Sequence, residues 1–222
     1  MLWISVIVMA ALLGWQVNAW RSQPSTELKA IEPIVAVSSS KSANFRAFSP
    51  AKLIAPFELP STKTGSFTNQ DLLGKWSFVL FGYTYCPDVC PTTLARLKGV
   101  YRQLQQQANV QVIFVSADPL RDDLPRLTQY INYFEPEFIA LTTSHDKLFP
   151  FAQGLLLPYG IIAQAPSEDY AVSHSASIAL INPQGQLQGQ FKPDLKLGSI
   201  PIVDMKLMAQ QFEIIIAQAP PY

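Results

Sequence analysis

The run Trp76-Ser77-Phe78-Val79-Leu80-Phe81-Gly82 leads directly into Tyr83-Thr84-Tyr85-Cys86-Pro87-Asp88-Val89-Cys90-Pro91, and the reading of this stretch decides the fold. Its first seven residues are almost continuously apolar, as expected of a strand buried on both faces. Beyond the cysteines, Cys90–Gln107 sets Leu94, Leu97, Tyr101 and Leu104 on one helical face. Val110–Ser116 (VQVIFVS) is a second buried run. Strand, helix and strand in this order predict a parallel βαβ unit, with the cysteine turn at the carboxyl edge of the sheet, where α/β proteins place their sites.

Outward from this unit the alternation continues. Asp122 or Asp123 caps a helix that runs to about Phe134, with Pro125 tolerated in its first turn. Phe138–Leu141 reads as a short strand, and Ser144 opens a helix towards Gly154. Ser177–Ile181 and Gln186–Phe191 form a hairpin about the turn Asn182-Pro183-Gln184-Gly185, and a last helix covers about Ile200–Ala217. The sum is an α/β domain over residues 51–222, a central mixed sheet flanked by helices in an order that suits a thioredoxin-like fold.

Upstream, residues 1–20 (MLWISVIVMAALLGWQVNAW) carry no charged side chain. Twenty helical residues would span about 30 Å, a bilayer core, with Trp15 and Trp20 suited to its interface. This N-terminal apolar helix is expected to be a membrane anchor. The alternatives are a signal peptide cleaved after Val17-Asn18-Ala19 and a helix of the domain core. Residues 21–50, rich in Ser, Ala and Pro, read as a flexible linker. Anchor or signal, the domain is exported, which in a bacterial cell means the periplasmic side of the inner membrane. Sixteen Lys and Arg balance sixteen Asp and Glu, so no global field draws the chain to nucleic acid.

Two cysteines are too few for a disulfide framework, and their placement four positions apart points to local chemistry. Cys90 begins a helix, where free N–H groups and the macrodipole favour a thiolate. Cβ atoms at i and i+4 of a regular helix lie about 5–6 Å apart, wider than a disulfide prefers. A metal bridging two thiolates accepts that separation, and soft thiolates select Cu(I) or zinc. Pro87 keeps Cys86 on the loop, so reversible oxidation stays open, as do a structural disulfide and a merely buried pair.

The chain has two histidines. His145, just inside a helix start, reads as a surface residue. His174 precedes the strand Ser177–Ile181 on a loop that can reach the cysteine turn, where it is either a third ligand or a hydrogen-bonded loop histidine. Met205 and Met208 read as core.

Three motifs carry a resemblance to the Sco/SenC family of copper-binding thioredoxin-like proteins. Phe81-Gly82-Tyr83-Thr84-Tyr85-Cys86-Pro87-Asp88-Val89-Cys90-Pro91-Thr92-Thr93-Leu94 matches that family's F-G-Y-T-x-C-P-D-x-C-P-x-x-L. Val115-Ser116-Ala117-Asp118-Pro119-Leu120-Arg121-Asp122 is similar to its V-S-x-D-P-x-R-D, and His174-Ser175 to its D-H-S. The similarity spans about residues 53–215. It implies copper, as Cu(I) or Cu(II), held by Cys86, Cys90 and His174, an N-terminal membrane anchor, and a metallochaperone that assembles the binuclear copper site of cytochrome c oxidase. Its partners would be the copper-site subunit of that oxidase, other periplasmic copper chaperones and thioredoxin-like reductants. Ser173 stands where the family carries Asp, so a carboxylate that could orient the imidazole is missing. Ser173 and Asp118 are candidates for supporting the ligands from behind, Asp118 equally for capping a turn. The rival function is a thiol-disulfide oxidoreductase that reduces partner cysteines through Cys86 and Cys90 without delivering metal. A third is a copper or redox sensor acting through a partner.

Overall fold

The computed structural model of the chain describes residues 44–162, 170–195 and 198–219. In chain order the elements are β1 (Phe45–Leu53), β2 (Glu58–Ser61), β3 (Gly65–Thr68), a short 3-10 turn (Asn69–Leu72), β4 (Trp76–Gly82), α1 (Val89–Gln107), β5 (Val110–Ser116), α2 (Leu124–Phe134), β6 (Ile139–Leu141), α3 (His145–Gly154), β7 (Tyr159–Ile162), β8 (Ala171–His174), β9 (Ile178–Ile181), β10 (Gln186–Phe191) and α4 (Met205–Gln218). Eight strands form one mixed sheet in the order β1-β10-β9-β4-β5-β6-β2-β3, and β7 and β8 form a separate two-stranded ribbon. The centre is the predicted parallel unit, with β4 and β5 in register from Trp76 opposite Val110 to Gly82 opposite Ser116.

The apolar run of β4 is continuous because both of its faces are covered. Trp76, Phe78 and Leu80 pack with Leu94, Leu97, Leu104, Leu127, Met208 and Phe212 beneath α1, α2 and α4. Val79 and Phe81 point the other way, into a second core with Leu148, Phe151, Leu157, Tyr159 and Val172. Each fully buried side chain of this kind contributes about 1.5–3 kcal/mol. Met205 and Met208 are core, as expected. At α2, Asp123 is the cap, accepting from the Arg126 N–H, and Pro125 sits in the first turn.

Three expectations are corrected. The linker does not run to residue 50: β1 begins at Phe45 and pairs antiparallel with β10, because Phe45 lies against Phe191 and Phe48 is buried. The last helix starts at Met205, not near Ile200, since Asp204 caps it and Ile202 is occupied in a bridge to Asp194. His174 lies on a strand, not a loop, because Ala171–His174 pairs with Tyr159–Ile162. The apolar segment 1–20 and most of the linker lie outside the described residues, and among those described no helix is long and apolar enough to cross a membrane.

Candidate metal centre

β4 ends at Gly82, a position where nothing larger fits. A Cβ on this residue would lie 2.6 Å from the Phe114 Cε2 atom and 2.8 Å from the Cys90 sulfur. The chain then turns out of the sheet through Tyr83 and Thr84. Thr84 is fastened to Asp122, whose carboxylate accepts from the Thr84 N–H at 2.9 Å and the Thr84 hydroxyl at 2.6 Å. The same carboxylate accepts from the Ser116 hydroxyl at 2.6 Å, so the end of β5, the approach to α2 and the cysteine loop share one buried acceptor.

Cys86 stays on this loop, half-buried, and Cys90 is the second residue of α1, buried. The Cys90 N–H points at the Cys86 sulfur, 3.4 Å away. The helix start therefore stabilises a thiolate on Cys86 and not, as the sequence suggests, on Cys90. Donation from the Cys90 thiol above all, aided by a hydrogen bond from His174 and by the N–H groups of Cys90 and Asp88 and opposed by burial, pulls Cys86 down to about 4. Cys90 moves the other way: its proton is held by the hydrogen bond to Cys86 and by burial. A sulfur one turn ahead of the helix lies over its free N–H groups, whereas the sulfur of Cys90 faces back into the core.

His174 closes the group from the end of β8. Its Nε2 lies 3.3 Å from the Cys90 sulfur, and its Nδ1 lies 3.2 Å from the Ser175 carbonyl. A carbonyl only accepts, so Nδ1 is the donor there and Nε2 is the nitrogen presented to the sulfurs. The three donor atoms all lie within 4.8 Å of one another. Three ligands about 2.2 Å from a trigonal ion are roughly 3.8 Å apart, so a small contraction seats a soft ion between them. Two sulfurs and one imidazole are a donor set for copper.

Ser173 is exposed and pairs with Gly160 across the ribbon, and successive side chains of a strand point to opposite faces. The backbone carbonyl of Ser175 takes up the orienting contact in place of a carboxylate. Asp118 is fully buried, but its carboxylate accepts from Arg121 and from the Tyr170 hydroxyl, not from a ligand residue. His145 is half-buried: its Nδ1 lies 2.9 Å from the Tyr159 hydroxyl, and it stacks on that ring. It is no part of the site. Sequence reasoning misses Asp122 and Arg121 as site supports. Both stand in the quoted motif Val115–Asp122, where Asp122 reads only as a helix cap.

A family model described as SCO1/SenC matches residues 46–201. A Stutzerimonas stutzeri protein named as copper-binding is 35% identical over 151 residues, 67% of this chain and 74% of that protein. The human mitochondrial SCO2 homolog is 36% identical over 118 residues, 52% of this chain and 44% of its own length. The chain thus spans about half the length of the mitochondrial relatives it matches. Among solved structures, copper-bound Arabidopsis thaliana ScoI superposes with a TM-score of 0.63 at 26% identity, covering 75% of this chain and 100% of that one. With the cysteine loop and the histidine-bearing strand brought together on this sheet edge, and the family model spanning most of the domain, the chain belongs to the SCO1/SenC family.

Proposed function

We propose that the protein is a copper metallochaperone that receives copper on Cys86, Cys90 and His174 and passes it to the binuclear copper site of cytochrome c oxidase. The observation that carries this reading is the convergence of two sulfurs and an imidazole nitrogen within 4.8 Å. Copper is the cargo, and the residues divide the work. Cys86 is half-buried and ionised at neutral pH, so an arriving ligand meets this sulfur first. Cys90 and His174 hold the ion from behind, and release proceeds by ligand exchange at the accessible sulfur. The charge and softness of two sulfurs suit Cu(I), and the imidazole adds the nitrogen that Cu(II) favours. Residues 1–20 act as an inner-membrane tether on the periplasmic side, or as a cleaved export signal. A tether concentrates the domain near a membrane-bound recipient.

Titration of the reduced protein with Cu(I) and Cu(II) tests the site. His174→Ala is expected to weaken Cu(II) far more than Cu(I), and Cys90→Ala to weaken both; unchanged affinities in both variants would refute it. Transfer to the isolated copper-site subunit of the oxidase then tests delivery.

One observation favours a second reading. The acidic, accessible Cys86 beside the protonated Cys90 is also the arrangement of a dithiol reductant. The Cys86 thiolate would attack a partner disulfide and release one partner thiolate. The Cys90 thiol, losing its proton, would then resolve the mixed disulfide, leaving a Cys86–Cys90 disulfide and a reduced partner. A Cys90→Ser variant that traps a disulfide-linked partner, in a wild type that takes up no copper, would establish this reading in place of the first.

A further inference from the structure

The strand that carries His174 has no place in the main sheet. β8 pairs with β7 alone among the described residues, and a two-stranded ribbon is marginal by itself in water. Val172 and Tyr159 seat the ribbon on the second core, and polar ties at its two ends fix where the imidazole lies. Beside His174 itself the ribbon is tied by the Ser175 N–H to the Pro158 carbonyl at 2.9 Å. At the opposite end stands Tyr170, and Tyr170 is bound three times to one acid-base pair. Its hydroxyl donates to Asp118, its carbonyl accepts from the Arg121 guanidinium at 3.1 Å, and its ring lies beneath the guanidinium carbon at 3.9 Å. Asp118, fully buried at the end of β5, uses its second oxygen to hold the Arg121 Nε.

The same guanidinium reaches the other half of the site. It lies 5.0 Å from the ring of Tyr85, beside Cys86, and 5.9 Å from the ring of Tyr83, which meets the His174 ring edge-on at 6.0 Å. We infer that Arg121, anchored by Asp118, is a positioning residue that latches the start of the His174 strand to the cysteine loop, and that this latch, added to the packing of Val172, holds the third ligand in place. The inference rests on the copper reading above for its consequence, though not for its geometry. A planar fork is required, because one donor holds Asp118 while another holds the Tyr170 carbonyl and the face stacks on the ring. A lysine supplies a single charged point and cannot do all three.

The test uses the full chain with Arg121→Met, Arg121→Lys and Tyr170→Phe, each checked for folding by its thermal transition. In metal-free protein, Arg121→Met is expected to speed amide exchange across Ala171–His174 at least tenfold while leaving α1 unchanged. With Cu(II), Arg121→Met and Arg121→Lys should lose about 10–100-fold in affinity and lose the nitrogen coupling in the electron paramagnetic resonance spectrum, as expected when a support of a ligating histidine is removed. Cu(I) held by the two sulfurs should change less than about threefold. Added to His174→Ala, Arg121→Met should cost nothing more. Tyr170→Phe, which deletes one hydroxyl, keeps the test open if the Arg121 variants do not fold, and should move exchange and nitrogen coupling in the same direction. Unchanged exchange in β8, or an additive loss in the double variant, overturns the latch. A wild type that binds no copper overturns the copper reading instead, while the exchange measurement still decides the latch.

Discussion

Replacing Asp122 separates the shape of the cysteine loop from the carboxylate that holds it. The side chain is fully buried and accepts from the Thr84 N–H at 2.9 Å, the Thr84 hydroxyl at 2.6 Å and the Ser116 hydroxyl at 2.6 Å. Hydrogen bonds to a charged acceptor contribute about 1.5–3 kcal/mol each, but bonds sharing one carboxylate do not add, and desolvation of the charge offsets part of them. Asp122→Ala leaves the Thr84 N–H with no acceptor and opens a void, and the expected loss is about 3–5 kcal/mol, the range for breaking a buried charged network. Asp122→Asn behaves differently. Its amide oxygen, set where Oδ2 lies, still accepts from the Thr84 N–H and the Ser116 hydroxyl, and its NH₂ group faces a threonine hydroxyl that can turn to accept. That variant should lose about 1–2 kcal/mol. Urea unfolding of the reduced, metal-free protein reads both, provided the slope is unchanged. With a slope of about 2 kcal/mol per molar, the midpoint falls by roughly 1.5–2.5 M for Ala and by less than about 1 M for Asn. Equal losses in the two variants, or a loss below about 1 kcal/mol in Asp122→Ala, would show that the loop is held by something other than this acceptor.

Cys86, at about 4, should be alkylated at a rate already level between pH 6 and pH 8, where a thiol of ordinary acidity would still be gaining reactivity. Cys90→Ala removes the largest cause of that acidity, so the inflection should move up in pH; a wild-type inflection near pH 9 would contradict the geometry. Gly82→Ala places a methyl 2.6 Å from Phe114, whose ring is fully buried, and 2.8 Å from the Cys90 sulfur. Overpacking of this kind costs about 1–3 kcal/mol, and the displaced sulfur should weaken Cu(I) in a direct titration. Gly99→Ala is the control: a Cβ there meets nothing within 4 Å, and the helix should gain about 0.5–1 kcal/mol without change in copper affinity. Equal behaviour of the two glycine variants would mean that the close approach at Gly82 does not matter.

The parts of this fold visible in the sequence are those whose cause is local. β4 and β5 are legible because burial on both faces removes polar residues from most of seven consecutive positions in each. The hairpin between β9 and β10 is legible because Gly185 takes a left-handed φ of 74°, which the turn demands of it. The elements that sequence reasoning misses have no local signature. β1 is an edge strand with one buried position among nine, inside a stretch most of which composition reads as linker. β7 and β8 have four residues each, too short for any period to show. The ribbon they form depends on contacts made far away in the chain.

The site divides along the same line. Cys86 and Cys90 are neighbours in sequence, and their flanking prolines and preceding strand are enough to place both at one turn. His174 reaches Cys90 across 84 positions, and the residues that bring it there speak for nothing by themselves. An aspartate and an arginine three apart after a strand are read most simply as a cap and a surface charge. Only when the fold brings Tyr170 across about 50 positions do Asp118 and Arg121 acquire the His174 strand to hold. The family resemblance places His174 correctly beside the cysteines, yet it also singles out Ser173 as the missing support. In the fold that side chain is exposed, and the imidazole is oriented by a backbone carbonyl that no substitution at position 173 removes. The placing of the His174 imidazole therefore depends less on the side chain preceding it than on the contacts that keep β8 against the cysteine loop.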